Sequence, residues 1–287
     1  MDVLLFGSMG DISAIAMHNL QDHGLCVAHV PFPQNIFRDE AGYRRELVRA
    51  VRLYHPKTVM PIGCCVAPAR FKEEFGRLFP EVTLCVESPE KVSLLDSKVK
   101  SYHWAESIGI ALPKTFGSPE EIPPGTKPVF KRDISFGGHG VHFPLDSKAL
   151  HNLISHQRKA EPYLIEEFVE GVEYSVDAIR YGGRTICSAY RKISSRTLSG
   201  PADTRTVMEF PLIERMASRM LDELDFNGLC GFDFMVSDSG QAYLLECNPR
   251  FTGGLQTQIS SGFEIPILVV RTIGGLQVQS KFAVEHE

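Results

Sequence analysis

Short apolar runs alternate with amphipathic ones along the first third of the chain. DVLLF (2–6) has the length and composition of a buried strand, GSMGDIS turns out of it, and AIAMHNLQDHG has helical spacing closed by Gly24. LCVAHVPFP reads as a second strand, and RDEAGYRRELVRAVRLYHP as an amphipathic helix stopped by Pro56. KTVMPIG supplies a third strand, and FKEEFGRLFPEVTLCVES a further helix and strand. Strands separated by helices predict a parallel, Rossmann-like sheet over residues 1–92.

Beyond that point the pattern changes. LLDSKVKSYHWAESIG (94–109) predicts a helix capped by Asp96 or Ser97. PVFKR (128–132) and YLIEEFV (163–169) are short strands, with helical HNLISHQRKA (151–160) between them. EYSVDAIR (173–180) and TICSAYR (185–191) form a hairpin over YGGR, and FDFMV (232–236) and AYLLECN (242–248) a second over SDSG. The expectation is a small lobe over 93–168 and a large, mostly antiparallel lobe over 169–287, so the class is α/β joined to α+β.

Composition narrows the function classes. The 287 residues are 43% hydrophobic and 23% charged, with a formal net charge of −5, which implies no general affinity for nucleic acid or anionic membrane. MDVLLFGSMGD has no basic leader, and IPILVV (265–270) is too short to span a bilayer. The seven cysteines include the adjacent Cys64 and Cys65 but no C-x-x-C, so a reducing, cytoplasmic setting is expected.

Three stretches carry chemistry. In the last hairpin, a four-residue SDSG turn would set Val236 opposite Gln241 and Asp233 opposite Leu244. Asp233, Glu246 and Asn248 then share a face, with the two acids as diagonal neighbours roughly 7–8 Å apart at the backbone. Close carboxylates repel unless a cation lies between them, and a hard divalent ion suits this oxygen set. A solvated polar face is the bland alternative, set against the apolar run around these acids, and a one-residue slip would separate them. Lys131 ends its strand beside SFGGHG (135–140), where Gly137, Gly138 and Gly140 could cradle phosphate and His139 could touch it. Lys98 is a second phosphate candidate; the spacing is not that of a P-loop. In EEFVEGVEYSV (166–176), Glu166, Glu167, Phe168 and Val169 read as a connector offering backbone groups to an adenine edge, with Glu173 placed for ribose hydroxyls. The Gly7–Gly10 turn admits three readings: a dinucleotide turn, amides that hold a substrate carboxylate, or a plain crossover.

Taken together, these runs resemble the ATP-grasp superfamily and its carboxylate–amine ligases. DSKVKSYHWAESIGIALPKT looks like the first lysine helix, with Lys98 at the lysine position. PVFKRDISFGGHGV is similar to the second lysine and phosphate loop, and LIEEFVEGVEYSVDA to the adenine hinge and ribose segment. FDFMVSDSGQAYLLECNPRFTGG resembles the metal-binding hairpin, and its N-P-R ending looks like the biotin carboxylase and carbamoyl phosphate synthetase branch. The resemblance implies a Rossmann-like domain followed by a two-lobed ATP-grasp core. It implies ATP and Mg²⁺, with Mn²⁺ as a substitute, held by Asp233, Glu246 and Asn248. It also implies ADP-forming ligation through an acylphosphate, with small carboxylate and amine substrates. Lys98 and Lys131 would help stabilise the transfer, and Arg250 would stabilise the transferring oxygens or grip the acylating carboxylate. The basic segment RKISSRTLSGPADTR (191–205) is expected to be a loop over the substrate, with Arg191 and Arg205 as contacts and Arg196 between them. The core ends near the end of the sequence, so a short stand-alone ligase is expected, with a homodimer as the default assembly. A thiol or bicarbonate acceptor, or a nucleotide-binding regulator without turnover, stays open.

Overall fold

The computed structural model describes residues 1–32, 39–135, 137–157, 161–195 and 202–277, which three sheets organise. Arg196 and Phe136 lie outside the described residues.

The first sheet is parallel. Its elements are β1 (Val3–Gly7), α1 (Ile12–Asp22), β2 (Val27–Val30), α2 (Glu40–Tyr54), β3 (Thr58–Ile62), α3 (Val66–Leu78) and β4 (Thr83–Leu84), with strand order β2-β1-β3-β4. β1 and β3 are buried at every position, as expected of strands covered on both faces. α2 buries Tyr43, Leu47, Ala50 and Val51 along one stripe. The Asp39 carboxylate caps it by accepting from the Gly42 amide, and the helix ends at His55 in a left-handed conformation before Pro56. β4 is only two residues long, shorter than the apolar run there suggests.

Two helices follow, α4 (Pro89–Asp96) and α5 (Lys98–Ser107). Ser97 caps α5, and Asp96 instead ends α4. The second sheet is antiparallel. It comprises β5 (Thr115–Phe116), β6 (Pro128–Arg132), β7 (Val141–His142), then α6 (Ser147–His156) and β8 (Tyr163–Glu167), in strand order β5-β8-β6-β7. It has a small core of its own around Phe116, Phe130, Leu150 and Ile165.

The third sheet is larger and also antiparallel: β9 (Val172–Tyr181), β10 (Arg184–Ser195), β11 (Ala202–Met208), α7 (Pro211–Glu223), β12 (Gly228–Val236) and β13 (Ala242–Asn248), ordered β11-β10-β9-β12-β13. Two short helices, α8 (Leu255–Ser260) and α9 (Ile265–Thr272), come last. β9 and β10 join through Gly182 and Gly183, whose φ values of 58° and 79° suit a tight two-residue turn. The segment 191–205 is not a loop over its described length: Arg191–Ser195 of β10 and Ala202–Arg205 of the edge strand β11 pair with each other. A hydroxyl-rich, β-branched stretch ladders readily when a neighbouring strand is available. Phe6 and Leu47 of the first sheet share one core with Val176, Met220 and Phe234 of the third.

Candidate active site

The β12–β13 hairpin departs from the expected register in two ways that cancel. Its loop takes five residues, 237–241, so Val236 lies opposite Ala242 rather than Gln241. Continued regularly, that pairing would set Asp233 opposite Leu245 and turn Glu246 to the other face. The register instead shifts between Asp233 and Phe234, Leu245 is left as the extra residue, and Asp233 lies directly opposite Glu246. The acids are direct cross-strand neighbours, not diagonal ones. Asn248 pairs with Gly231 on the same face, and its amide nitrogen donates to Glu246 at 3.1 Å and to Asp233 at 3.4 Å.

Three lysines surround this pair. Lys98 Nζ is 3.1 Å from Glu246 and 3.3 Å from the Ser135 hydroxyl. Its helix is tied down by Asp133, whose carboxylate accepts from the Ser97 hydroxyl at 2.7 Å and the Val99 amide at 2.9 Å. Lys131 is buried; its ammonium lies 2.6 Å from Glu166 and donates to the Tyr102 hydroxyl at 3.2 Å and the Leu245 carbonyl at 3.3 Å. The bulged residue thus offers its carbonyl to the second sheet's lysine. Lys192 lies 3.1 Å from Asp233 and 2.5 Å from Glu173. Burial alone would raise the Glu246 carboxyl, but Lys98, the Asn248 amide and Arg250 outweigh it and bring it down to about 2. Burial likewise works against the Lys192 ammonium, yet Asp233 and Glu173 push it up. For Glu173 burial wins over Lys192 and raises the carboxyl, with Asp233 adding to the rise.

Lys131, Lys192, Glu173, Asp233 and Glu246 line a cavity of about 410 Å³ between the second and third sheets. Gly137, Gly138 and His139 edge it, with φ of 56° and 77° at the two glycines, a conformation that side chains rarely adopt. Gly140 packs below, where an added Cβ would meet Ser135 at 2.4 Å. Glu167, Phe168 and Val169 form the wall where the chain passes from β8 to β9, and Phe168 meets Phe143 edge-on at 5.9 Å. Glu166 also lines the cavity, but its carboxylate is taken by Lys131 and by the Tyr102 hydroxyl at 2.8 Å. Glu173, Asp233, Glu246, Asn248 and Arg250 complete the polar side, and the Arg250 amide donates to the Asn248 carbonyl at 2.7 Å.

Besides Gly140, two expected positions lie off the cavity lining. Lys98 is not among the cavity-lining residues and engages Glu246 instead. Arg191 is exposed and does not line the cavity; alternation along β10 sends Tyr190 and Lys192 inward in its place. Arg205, directly opposite Lys192 on β11, does line it. Sequence reasoning missed Tyr102, Tyr190 and Thr252, and counted Lys192 in the 191–205 segment without making it a contact. For Lys192 a signal existed: reading 185–205 as a strand pair would have alternated it away from Arg191. Met9, after β1, also reaches the cavity, so the first sheet contributes one wall residue from the Gly7–Gly10 turn.

No three His, Cys, Asp or Glu converge among the described residues. The hairpin set is two carboxylates and an amide, a hard-oxygen donor set. Both acids are within hydrogen-bond reach of one amide whose two ends have nearly the same shape, and they face a glycine-edged cavity. The residues therefore fit a hard divalent cation such as magnesium.

A glycine loop and buried lysine on one antiparallel sheet face an acid-bearing hairpin on another across the cavity. Residues 159–287 match the model of a family described as ATP-grasp in the biosynthetic pathway with Ter operon. The chain is 22% identical over 208 residues to the arginine-specific large chain of carbamoyl phosphate synthase from Bacillus subtilis (strain 168), covering 67% of this chain but only 20% of that relative. Two solved structures share the fold. L-amino acid ligase from Bacillus licheniformis superposes with a TM-score of 0.75 at 16% identity, over 99% of this chain and 77% of that one. The biotin carboxylase domain dimer of Hydrogenobacter thermophilus 2-oxoglutarate carboxylase, in complex with MgADP, ADP and bicarbonate, gives 0.74 at 15% identity, over 97% and 71%.

Proposed function

We propose that this protein is an ATP-dependent, ADP-forming ligase that activates a small carboxylate as its acylphosphate and joins it to an amine, with amino acids as the substrate class. The observation that carries this reading is the cluster of Lys98, Lys131 and Lys192 around Asp233, Glu246 and Asn248, under the Gly137–Gly138 turn. The chemical difficulty is that an anionic carboxylate must approach an anionic triphosphate. A magnesium ion held by Asp233, Glu246 and Asn248 would supply positive charge at the phosphates. Phe168 and Val169 would hold the adenine, with Glu167 beside them, and Gly137, Gly138 and Gly140 would let the backbone close on phosphate, with His139 at its edge. Glu173 keeps its role toward the ribose hydroxyls, in competition with Lys192. Lys131 would contact phosphate, oriented by Glu166 and Tyr102. Arg250 and Arg205 would grip the reacting carboxylate, since a guanidinium matches its two oxygens.

The parallel first sheet supports reading residues 1–92 as a Rossmann-like unit ahead of the two lobes, 93–168 and 169–287. No helix among the described residues is long and apolar enough to cross a membrane. Seven free cysteines are consistent with a cytoplasmic protein. The dimer named for the Hydrogenobacter domain makes a homodimer worth testing by light scattering.

The test is an ADP-release screen over amino acids, singly and in pairs, with mass detection of products. Carboxylate-dependent ADP release with an amide-linked product is expected. ATP binding without ADP release across the whole screen would overturn the reading.

A further inference from the structure

One end of the cavity holds a chain of hydroxyls that no step above uses. Tyr190 and Thr252 both line the cavity, and their hydroxyl oxygens are 3.3 Å apart. The Thr252 hydroxyl donates to Asp177, at 2.9 Å and 3.2 Å from its two oxygens. Since that single proton goes to Asp177, the Tyr190 hydroxyl is the donor in the first contact. Asp177 is fully buried in the middle of β9, and Gln258 of α8 donates to it at 3.3 Å. Glycines leave room for the chain: a Cβ on Gly231 would meet the Thr252 methyl at 2.2 Å and Asp177 at 3.0 Å, and one on Gly254 would meet Tyr190 at 2.5 Å. A purely structural cluster would gain nothing from ending at the cavity.

We propose that Tyr190, Thr252 and Asp177 form a relay that carries away the proton lost by the attacking acceptor amine; the proposal rests on the ligase reading above. The neutral amine nitrogen forms its bond to the acylphosphate carbon, and the carbon–oxygen bond to phosphate breaks, with phosphate leaving on the electron pair. The amine proton passes to the Tyr190 oxygen, the Tyr190 proton to Thr252, and the Thr252 proton to the Asp177 carboxylate. The same chain returns it to solvent after product leaves. Lys192 and Arg205 keep this end cationic, which favours an unprotonated amine there.

The groups around Asp177 suit a proton acceptor. Burial raises its carboxyl to about 7; the Thr252 and Gln258 hydrogen bonds and Arg205 on β11 oppose the rise, and Asp233 on β12 adds to it. Tyr190 on β10 also faces it, and burial keeps its hydroxyl protonated. Tyr190 can therefore pass a proton through without resting as phenolate.

The experiment uses the full chain with ATP, Mg²⁺ and an equimolar mixture of the twenty standard L-amino acids as carboxylate source. In one arm hydroxylamine, a nucleophile that needs little help from a base, traps the acyl group as a hydroxamate. In the other, amino acids are the acceptors and peptide is read by mass. For Tyr190→Phe and Asp177→Asn, peptide formation is expected to fall about a hundredfold while hydroxamate falls no more than about threefold. Wild-type peptide formation should rise with pH through an inflection near 7 that Thr252→Val lacks and Thr252→Ser restores. Equal losses in both arms, or an inflection kept in Thr252→Val, would overturn the relay alone. Absence of hydroxamate from the wild type would overturn the ligase reading itself. Tyr190→Phe removes one oxygen and no packing volume, so the test survives if Asp177→Asn fails to fold.

Discussion

Two acid sites on the same sheet behave in opposite ways. Asp233 and Glu246 face each other across β12 and β13, and a lysine touches each, Lys192 and Lys98. Asp177, on the strand beside β12, has only hydroxyl and amide partners. The Glu246 carboxyl is brought down to about 2 and the Asp177 carboxyl raised to about 7, although burial pushes both upward. The sign is decided by whether a cation lies within contact distance. One site can therefore hold positive charge at phosphates, while the other can take up a proton near neutrality.

The comparison can be broken in graded ways. The largest expected effect is on stability. Because the folded-state carboxyl of Asp177 is raised from 3.8 to about 7, the folded state binds the proton more tightly than the unfolded chain. Wild-type stability relative to Asp177→Asn should thus fall as pH rises from about 4 to about 7, by about 4 kcal/mol, and level off above. Urea unfolding at a series of pH values reads this, and parallel curves for the two proteins would refute the raised carboxyl. Next, Lys192→Met leaves two acids without their half-buried cation and should cost about 3 kcal/mol in the same unfolding assay. A cost no greater than that of a surface substitution would show that Asp233 does not depend on Lys192. Third, Glu246→Gln should slow ADP release about a hundredfold, equivalent to about 2.7 kcal/mol. Turnover at the wild-type rate would remove Glu246 from the phosphate site. The smallest effect sharpens the register: Arg191→Met, one residue from Lys192 but on the exposed face, should change stability by less than about 0.5 kcal/mol.

How much of this was legible varied with the range of the interaction involved. The alternation of apolar runs and amphipathic helices showed the parallel sheet, because DVLLF and KTVMPI can only be satisfied with both faces covered. The acids with Asn248, and Lys131 with Gly137 and Gly138, were found as two separate short stretches, and they line one cavity. The hairpin geometry was misjudged twice, since loop length and bulge position depend on what β9 and the second sheet demand of β12 and β13. Lys192 was not made a contact because the basic, serine-rich stretch from Arg191 was read as loop, when β11 supplies a strand partner that local propensity does not reveal.

By itself, then, the amino-acid order determined which elements form and which residue types carry charge, because strand and helix periodicity are local properties. Only the tertiary structure decided which charges meet: the shift that sets Asp233 opposite Glu246, the pairing of each with its own lysine, and the isolation of Asp177 among neutral partners. Protonation and charge balance depend on distances between strands remote in sequence, and those distances exist only once the sheets have packed.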